Sequence, residues 1–279
     1  MMDRIAVIED YGEKARIGDN SVLYALIRCL DVDESVTLLR RSLSGTQSIR
    51  DASLKVVLEH ASESWTDFHE KLIDDIIGGF EKLSPNRRGS VFYCLGELAR
   101  VAPFNSRAVI LRFLLSSRYA AGRRKGLSIL ESNEISAFRD DIERCALEHR
   151  EFKALLLLVE HFEPKYLYEN RRLILDIFDE DRGVGRLYLR AAEHEPACVE
   201  ELREIDGIIF AYAKAKLNQP LSEDDAMLLL EEFCHDDRLG LLIWAFGKMN
   251  HWNVLVYAAD RYEEWQVERI SKVTKKGIV

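Results

Sequence analysis

The stretch FHEKLIDDIIGGFEKLSPNRRGSVFYCLGELA, Phe68–Ala99, decides how the chain is read. Phe68, Leu72, Ile73, Ile76, Ile77, Phe80 and Leu83 recur at three- and four-residue steps, which places them on one stripe of an α-helix. Ser84-Pro85 then supplies an N-cap followed by proline at the first helical position, where its missing N–H costs no hydrogen bond. Val91, Phe92, Leu95, Leu98 and Ala99 start a second stripe. Two helices joined by so short a turn must lie antiparallel, because the turn cannot carry the chain any further. The unit is a helical hairpin.

The same punctuation recurs along all 279 residues. Thr66 and Asn105 are further N-caps, Ser222-Glu223-Asp224-Asp225 loads a first turn with acid, and Gly45, Pro103, Pro164, Pro196 and Pro220 mark short loops. No run alternates apolar and polar residues as a half-buried strand would, and five prolines with fifteen glycines are too few for a sheet protein turning every ten residues or so. The expectation is an all-α protein of about fifteen helices, with at most one short strand near the N-terminus. A hydrophobic fraction of 47% against 31% charged residues is that of a chain that folds.

Basic residues near the start of every second predicted helix (Arg50, Arg88, Arg124, Lys153 and Arg186) lie about 30 to 38 residues apart. Around them a theme repeats. Leu38-Leu39 leads through a turn to Ile49-Arg50-Asp51-Ala52, and Leu114-Leu115 leads to Arg123-Arg124 followed by Leu127, Ile129 and Leu130. Ile174-Leu175-Asp176-Ile177-Phe178-Asp179-Glu180-Asp181-Arg182-Gly183-Val184-Gly185-Arg186 continues it. The chain thereby resembles the HEAT and armadillo-like helical repeats, with Ile49-Arg50 and Asp179 to Arg186 carrying the likeness best. The resemblance implies an α-solenoid, a right-handed superhelix of antiparallel hairpins in a single domain. Residues 1–32 would be an N-terminal cap, 33–200 the HEAT-like hairpins, and 201–279 irregular helices and a cap. The gap of about 50 residues between Arg186 and Arg238 calls for an extra helix around Ile208 to Leu217.

Composition narrows the function. A net charge of −9 opposes any general attraction to nucleic acid or an anionic membrane. Five scattered cysteines (Cys29, Cys94, Cys145, Cys198 and Cys234) contain no C-x-x-C pair and read as small buried residues in a reducing compartment. The first ten residues hold only four consecutive apolar positions, and the longest strongly apolar stretch, Ala154 to Val159, is about a third of a membrane span. A cytoplasmic protein without membrane association is expected.

Chemical motifs are sparse. The seven histidines form no H-x-x-x-H pair, and Glu232 with His235 gives one E-x-x-H where a di-metal site needs two, so neither metal nor cofactor is expected. Asp179-Glu180-Asp181 lacks the glycine and distant glutamate of a calcium loop and reads as a cap. Gly183-Val184-Gly185 has no preceding strand and reads as a tight inter-helix turn. No nucleophile elbow occurs, so no catalytic residue is assigned.

Two features suit binding. The basic clusters Arg40-Arg41, Arg87-Arg88, Arg123-Arg124-Lys125 and Arg171-Arg172 would form a ridge if hairpins stack, able to hold phosphates or carboxylates, unless acids of neighbouring turns such as Asp51 and Asp181 neutralise them. The C-terminal region is dense in aromatics (Trp244, Phe246, Trp252, Tyr257, Tyr262, Trp265), and these either anchor a partner or pack a terminal repeat. The candidate partner-binding residues are Arg50, Arg88, Arg124, Arg186, Trp252 and Trp265. The resemblance implies a non-enzymatic scaffold that binds a protein or peptide on its concave face. Two alternatives stand beside it. Some HEAT-like proteins resemble alkylpurine DNA glycosylases that grip nucleic acid, and an acidic chain suits an inhibitor or immunity-type protein that masks a basic partner.

Overall fold

The computed structural model describes residues 3–14, 20–178 and 181–276, with 20, 86, 181–182 and 266–276 described by backbone alone. Among the described residues all regular structure is helical, in seventeen α-helices and three 3-10 turns. The chain divides into two compact units, 1–154 and 155–279.

The first unit holds α1 (Arg4–Lys14), α2 (Asn20–Ile27), α3 (Val32–Ser42), α4 (Gln47–Glu63), α5 (Asp67–Gly79), α6 (Pro85–Val101), α7 (Phe104–Leu115), α8 (Ala120–Ile129) and α9 (Arg139–Leu147). The N-terminal segment is a helix and not a strand, because Ile5, Ile8 and Gly12 fall on one face. That face is pressed so closely on α4 that a Cβ at Gly12 would overlap Ile49. Within the unit each helix packs on the next but one: α2 on α4, α4 on α6, α6 on α8, and likewise α3 on α5, α5 on α7, α7 on α9. Two rows of helices result, and between them Leu95, Leu98, Ile110, Leu111, Leu114 and Leu127 are removed from water entirely. Each helix buries its apolar stripe against neighbours in both rows.

Local signals begin the helices where the sequence places them. Ser84 precedes Pro85 at the start of α6, and Asp31 and Glu34 close a reciprocal capping box on α3. Asn105 is an exception: α7 starts at Phe104 with Pro103 before it. At α5 the box is unusual. The Thr66 N–H donates to Nδ1 of His69 at 3.1 Å, which makes Nδ1 the acceptor and leaves the proton on Nε2. His69 is fully buried and stacked on Trp65, with ring centroids 5.0 Å apart. Burial lowers its pKa, and the proximity of His60 lowers it further.

The boundary between the units falls inside α10 (Phe152–His161). The second unit continues with α11 (Pro164–Leu175), α12 (Asp181–Ala191), α13 (Leu202–Ile205), α14 (Gly207–Lys216), α15 (Glu223–Phe233), α16 (Leu239–Lys248) and α17 (Trp252–Lys276). The extra helix expected near Ile208 is α14, apolar nearly all round and accordingly central, packed on α12, α13, α15 and α16. Asp206 caps it by accepting from the N–H groups of Ile208 and Ile209, at 3.0 and 3.1 Å. Asn218 and Asn250 take the left-handed conformation just past α14 and α16, where asparagine is second only to glycine. Gly183 and Gly185 lie inside α12 and not in a turn: Gly183 leaves room for the Phe178 ring, which a Cβ would overlap. The cap reading of Asp179-Glu180-Asp181 falls on Asp179, Glu180 and the Asp181 side chain, which lie outside the described residues. No helix among the described residues is long and apolar enough to cross a membrane.

Candidate functional site

The evenly spaced basic residues Arg50, Arg88, Arg124, Lys153 and Arg186 fall in α4, α6, α8, α10 and α12. Their surroundings differ. Arg50 is mostly buried, with Nε 3.4 Å from the Asp51 carboxylate, an ion pair that lacks hydrogen-bond geometry. Arg88 lies over the ring of Tyr119 and donates to its hydroxyl and to the Glu81 carbonyl, the latter at 3.1 Å. Arg124 is 74% exposed yet engaged, with Nε 3.0 Å from Glu151. Arg186 is exposed and without an ion-pair partner among the described residues; it edges a hollow of about 360 Å³ beside Leu156, Glu160 and Leu189. The other arginine pairs are drawn to carboxylates too: Arg40 to Asp75, Arg41 to Glu9, and Arg171 and Arg172 to Glu201. Of the two acids named as neutralising partners, Asp51 does so for Arg50, and the Asp181 side chain lies outside the described residues.

The most deeply engaged arginine is one that the ridge omits. Arg107 of α7 is buried, its side chain 9% exposed against 4% for Glu134. It donates to both oxygens of that carboxylate, at 2.6 and 3.0 Å, and to the carbonyls of Ala99 and Ile129, at 2.7 and 2.5 Å. One guanidinium thus ties the ends of α6 and α8 to the following turn. Burial opposes ionisation of Glu134, but the hydrogen bonds and charge of Arg107 outweigh it and hold the pKa below the usual value. Arg123 repeats the device, donating to Glu151 at 2.9 Å and to the Ser117 carbonyl at 2.9 Å. Arg150, at φ 51°, makes the turn that precedes Glu151. In the second unit Arg171 grips Glu201 at 2.6 and 3.1 Å and the Tyr168 carbonyl at 2.6 Å. Each acid stands about one hairpin after its arginine, at separations of 27, 28 and 30 residues, a spacing the sequence already contains.

Cysteine chemistry is equally inward. Burial pushes the thiol of Cys94 up to about 12 and those of Cys145 and Cys198 to about 11. Cys29, expected in the core, is exposed, and Cys234 is half-buried. Among the described residues no group of three or more His, Cys, Asp or Glu is placed to hold a metal ion.

The remaining site lies in the second unit, where α16, α17 and the end of α15 enclose an open groove of about 480 Å³. Leu239, Ile243, Leu255, Ala258, Tyr262 and Trp265 form its apolar walls. Gly240 lies on it with empty space where a side chain would stand. Asp236 and Asp237 are the carboxylates among its lining residues. Trp252 and Trp265, both on α17, separate here: Trp252 is 64% exposed, whereas Trp265 is 7% exposed, lines the groove and meets Tyr257 edge-on. Thirteen residues at about 100° each put them on opposite faces of the helix. Residues 222–265 contain ten carboxylates against three cations, so this stretch carries −7 of the chain's −9. No protein-family model, curated protein or solved structure matches the chain.

Proposed function

We propose that this chain is a non-enzymatic interaction protein, a HEAT-like α-solenoid capped at both ends, that binds a protein segment combining apolar and basic residues. The observation that carries the reading is the groove of α15 to α17, an apolar trough of about 480 Å³ set in a stretch of net charge −7. An apolar trough supplies burial, and an acidic frame speeds encounter with a basic partner and fixes its register. The same concentration of acid favours the neighbouring reading, in which the chain masks a basic surface on its target. The ion pairs at the arginine positions speak against a phosphate-binding ridge.

A titration tests this with two probes, a fluorescent amphipathic lysine-rich peptide and duplex DNA, each near physiological salt. The peptide is expected to bind and to be lost from a Gly240→Trp variant, whose indole fills the trough; DNA is expected not to bind. Sub-micromolar affinity for DNA that falls with Arg124→Ala and Arg186→Ala, together with its salt slope, overturns the proposal and moves the nucleic-acid reading forward.

A further inference from the structure

The acidic trough has a counterpart in the chain itself. Helix α17 lines the trough with Leu255, Ala258, Tyr262 and Trp265 and then continues to Lys276, a further eleven residues or about 16 Å of helix. The backbone stays helical through Lys272–Lys276. By sequence, Val267, Ile270 and Val273 fall at helical spacing within one third of a turn-wheel, and Arg269, Lys272, Lys275 and Lys276 fall across from them. Residues 266–279 carry four cations and one acid, a net +3, directly after a stretch of −7. The molecule therefore holds both halves of one interaction, an apolar trough in an acidic frame and an amphipathic basic helix.

Resting on the reading that the trough is a docking surface, we propose that its occupant is the last three turns of α17 from a second copy of this chain, exchanged reciprocally. The apolar side of that helix would enter against Ile243, Tyr262 and Trp265, close to the backbone at Gly240. Its lysines would meet Asp236 and Asp237, the carboxylates among the residues that line the trough. Each copy offers the same trough and the same helix, so the exchange closes as a two-fold dimer without an open end. Complementary net charge at the two surfaces favours this occupant over an uncharged apolar ligand.

The test is the mass of the full chain in solution by light scattering, at tens of micromolar protein and two salt concentrations. The expected result is a dimer that weakens about tenfold between 50 and 200 mM salt. Two full-length variants should each be monomeric: Gly240→Trp, which blocks the trough, and a tail variant with Arg269→Glu, Lys272→Glu, Lys275→Glu and Lys276→Glu. Mixed together they should form a heterodimer, because one retains the helix and the other the trough. A synthetic peptide spanning 266–276 should bind the tail variant and not Gly240→Trp. A wild-type monomer under these conditions overturns the proposal, as does a dimer that survives in both variants. If the wild type is monomeric yet the unrelated lysine-rich peptide still enters the trough, the second copy is excluded and the docking reading stands. If neither peptide binds, the docking reading falls as well.

Discussion

Arg107 and the trough of α15 to α17 use charge in opposite directions. Around Arg107 an ion pair is turned inward, desolvated, and joined to two helix-end carbonyls that would otherwise lack partners. At the trough the carboxylates Asp236 and Asp237 stand beside an open apolar surface. The lesson is that basic residues spaced evenly in sequence can serve the core, while carboxylates such as Asp236 and Asp237 are left lining an open apolar trough.

The largest expected effects separate core from edge. Leu95→Asp places a carboxylate at a site with no solvent access and should destabilise by about 4 kcal/mol or more in urea unfolding. Ile177→Asp, at a helix end with 9% exposure, should cost less. Equal, near-zero costs would show the buried faces to be misassigned. Next, Arg107→Ala strands the Glu134 carboxylate and two carbonyls, with an expected loss of about 3–5 kcal/mol, and Arg107→Met with Glu134→Met should recover much of it. Arg124→Ala, at an exposed side chain, should cost less than about 1 kcal/mol. An equal cost for Arg107→Ala and Arg124→Ala would erase the contrast between inward and outward charge.

A smaller effect follows from His69. Its folded pKa lies below the unfolded value, so the unfolded chain binds the proton more readily and stability falls as pH drops below about 6.5. The contribution is fully present above the unfolded pKa and is lost as pH falls through the folded one. His69→Gln keeps a capping acceptor for Thr66 and should flatten the unfolding midpoint between pH 7 and 5 relative to wild type. An unchanged slope would remove His69 as its source. The smallest effect is in thiol reactivity: alkylation of the native chain at pH 8, mapped by peptide mass, should label Cys29 well before Cys94, Cys145 or Cys198.

The helical class and most helix positions were legible. Helical spacing, Ser84-Pro85 and the recurrence of Arg50, Arg88 and Arg124 place every second helix correctly, because these signals are local. The candidate site was legible only in outline. Trp252 and Trp265 look alike in sequence, and only the phase of α17 makes one exposed and the other a wall of the trough. Arg123 and Arg124 are adjacent, yet one helical step puts the first in the core and leaves the second in solvent. Arg107 was missed because its role depends on the carbonyls of Ala99 and Ile129, ends of two other helices that no spacing rule brings to one guanidinium. Gly183 and Gly185 misled as turn residues because their smallness serves packing within a helix, Gly183 against the Phe178 ring and Gly185 against Ile209.

The central claim is that binding belongs to the trough and not to the arginine positions. Affinity capture from native extract tests it most directly, with three baits side by side: wild type, Gly240→Trp, and Arg124→Ala combined with Arg186→Ala. A partner, foreign or a second copy, should be held by the wild type and the arginine variant and lost from Gly240→Trp. A partner held by Gly240→Trp and lost from the arginine variant would contradict the account.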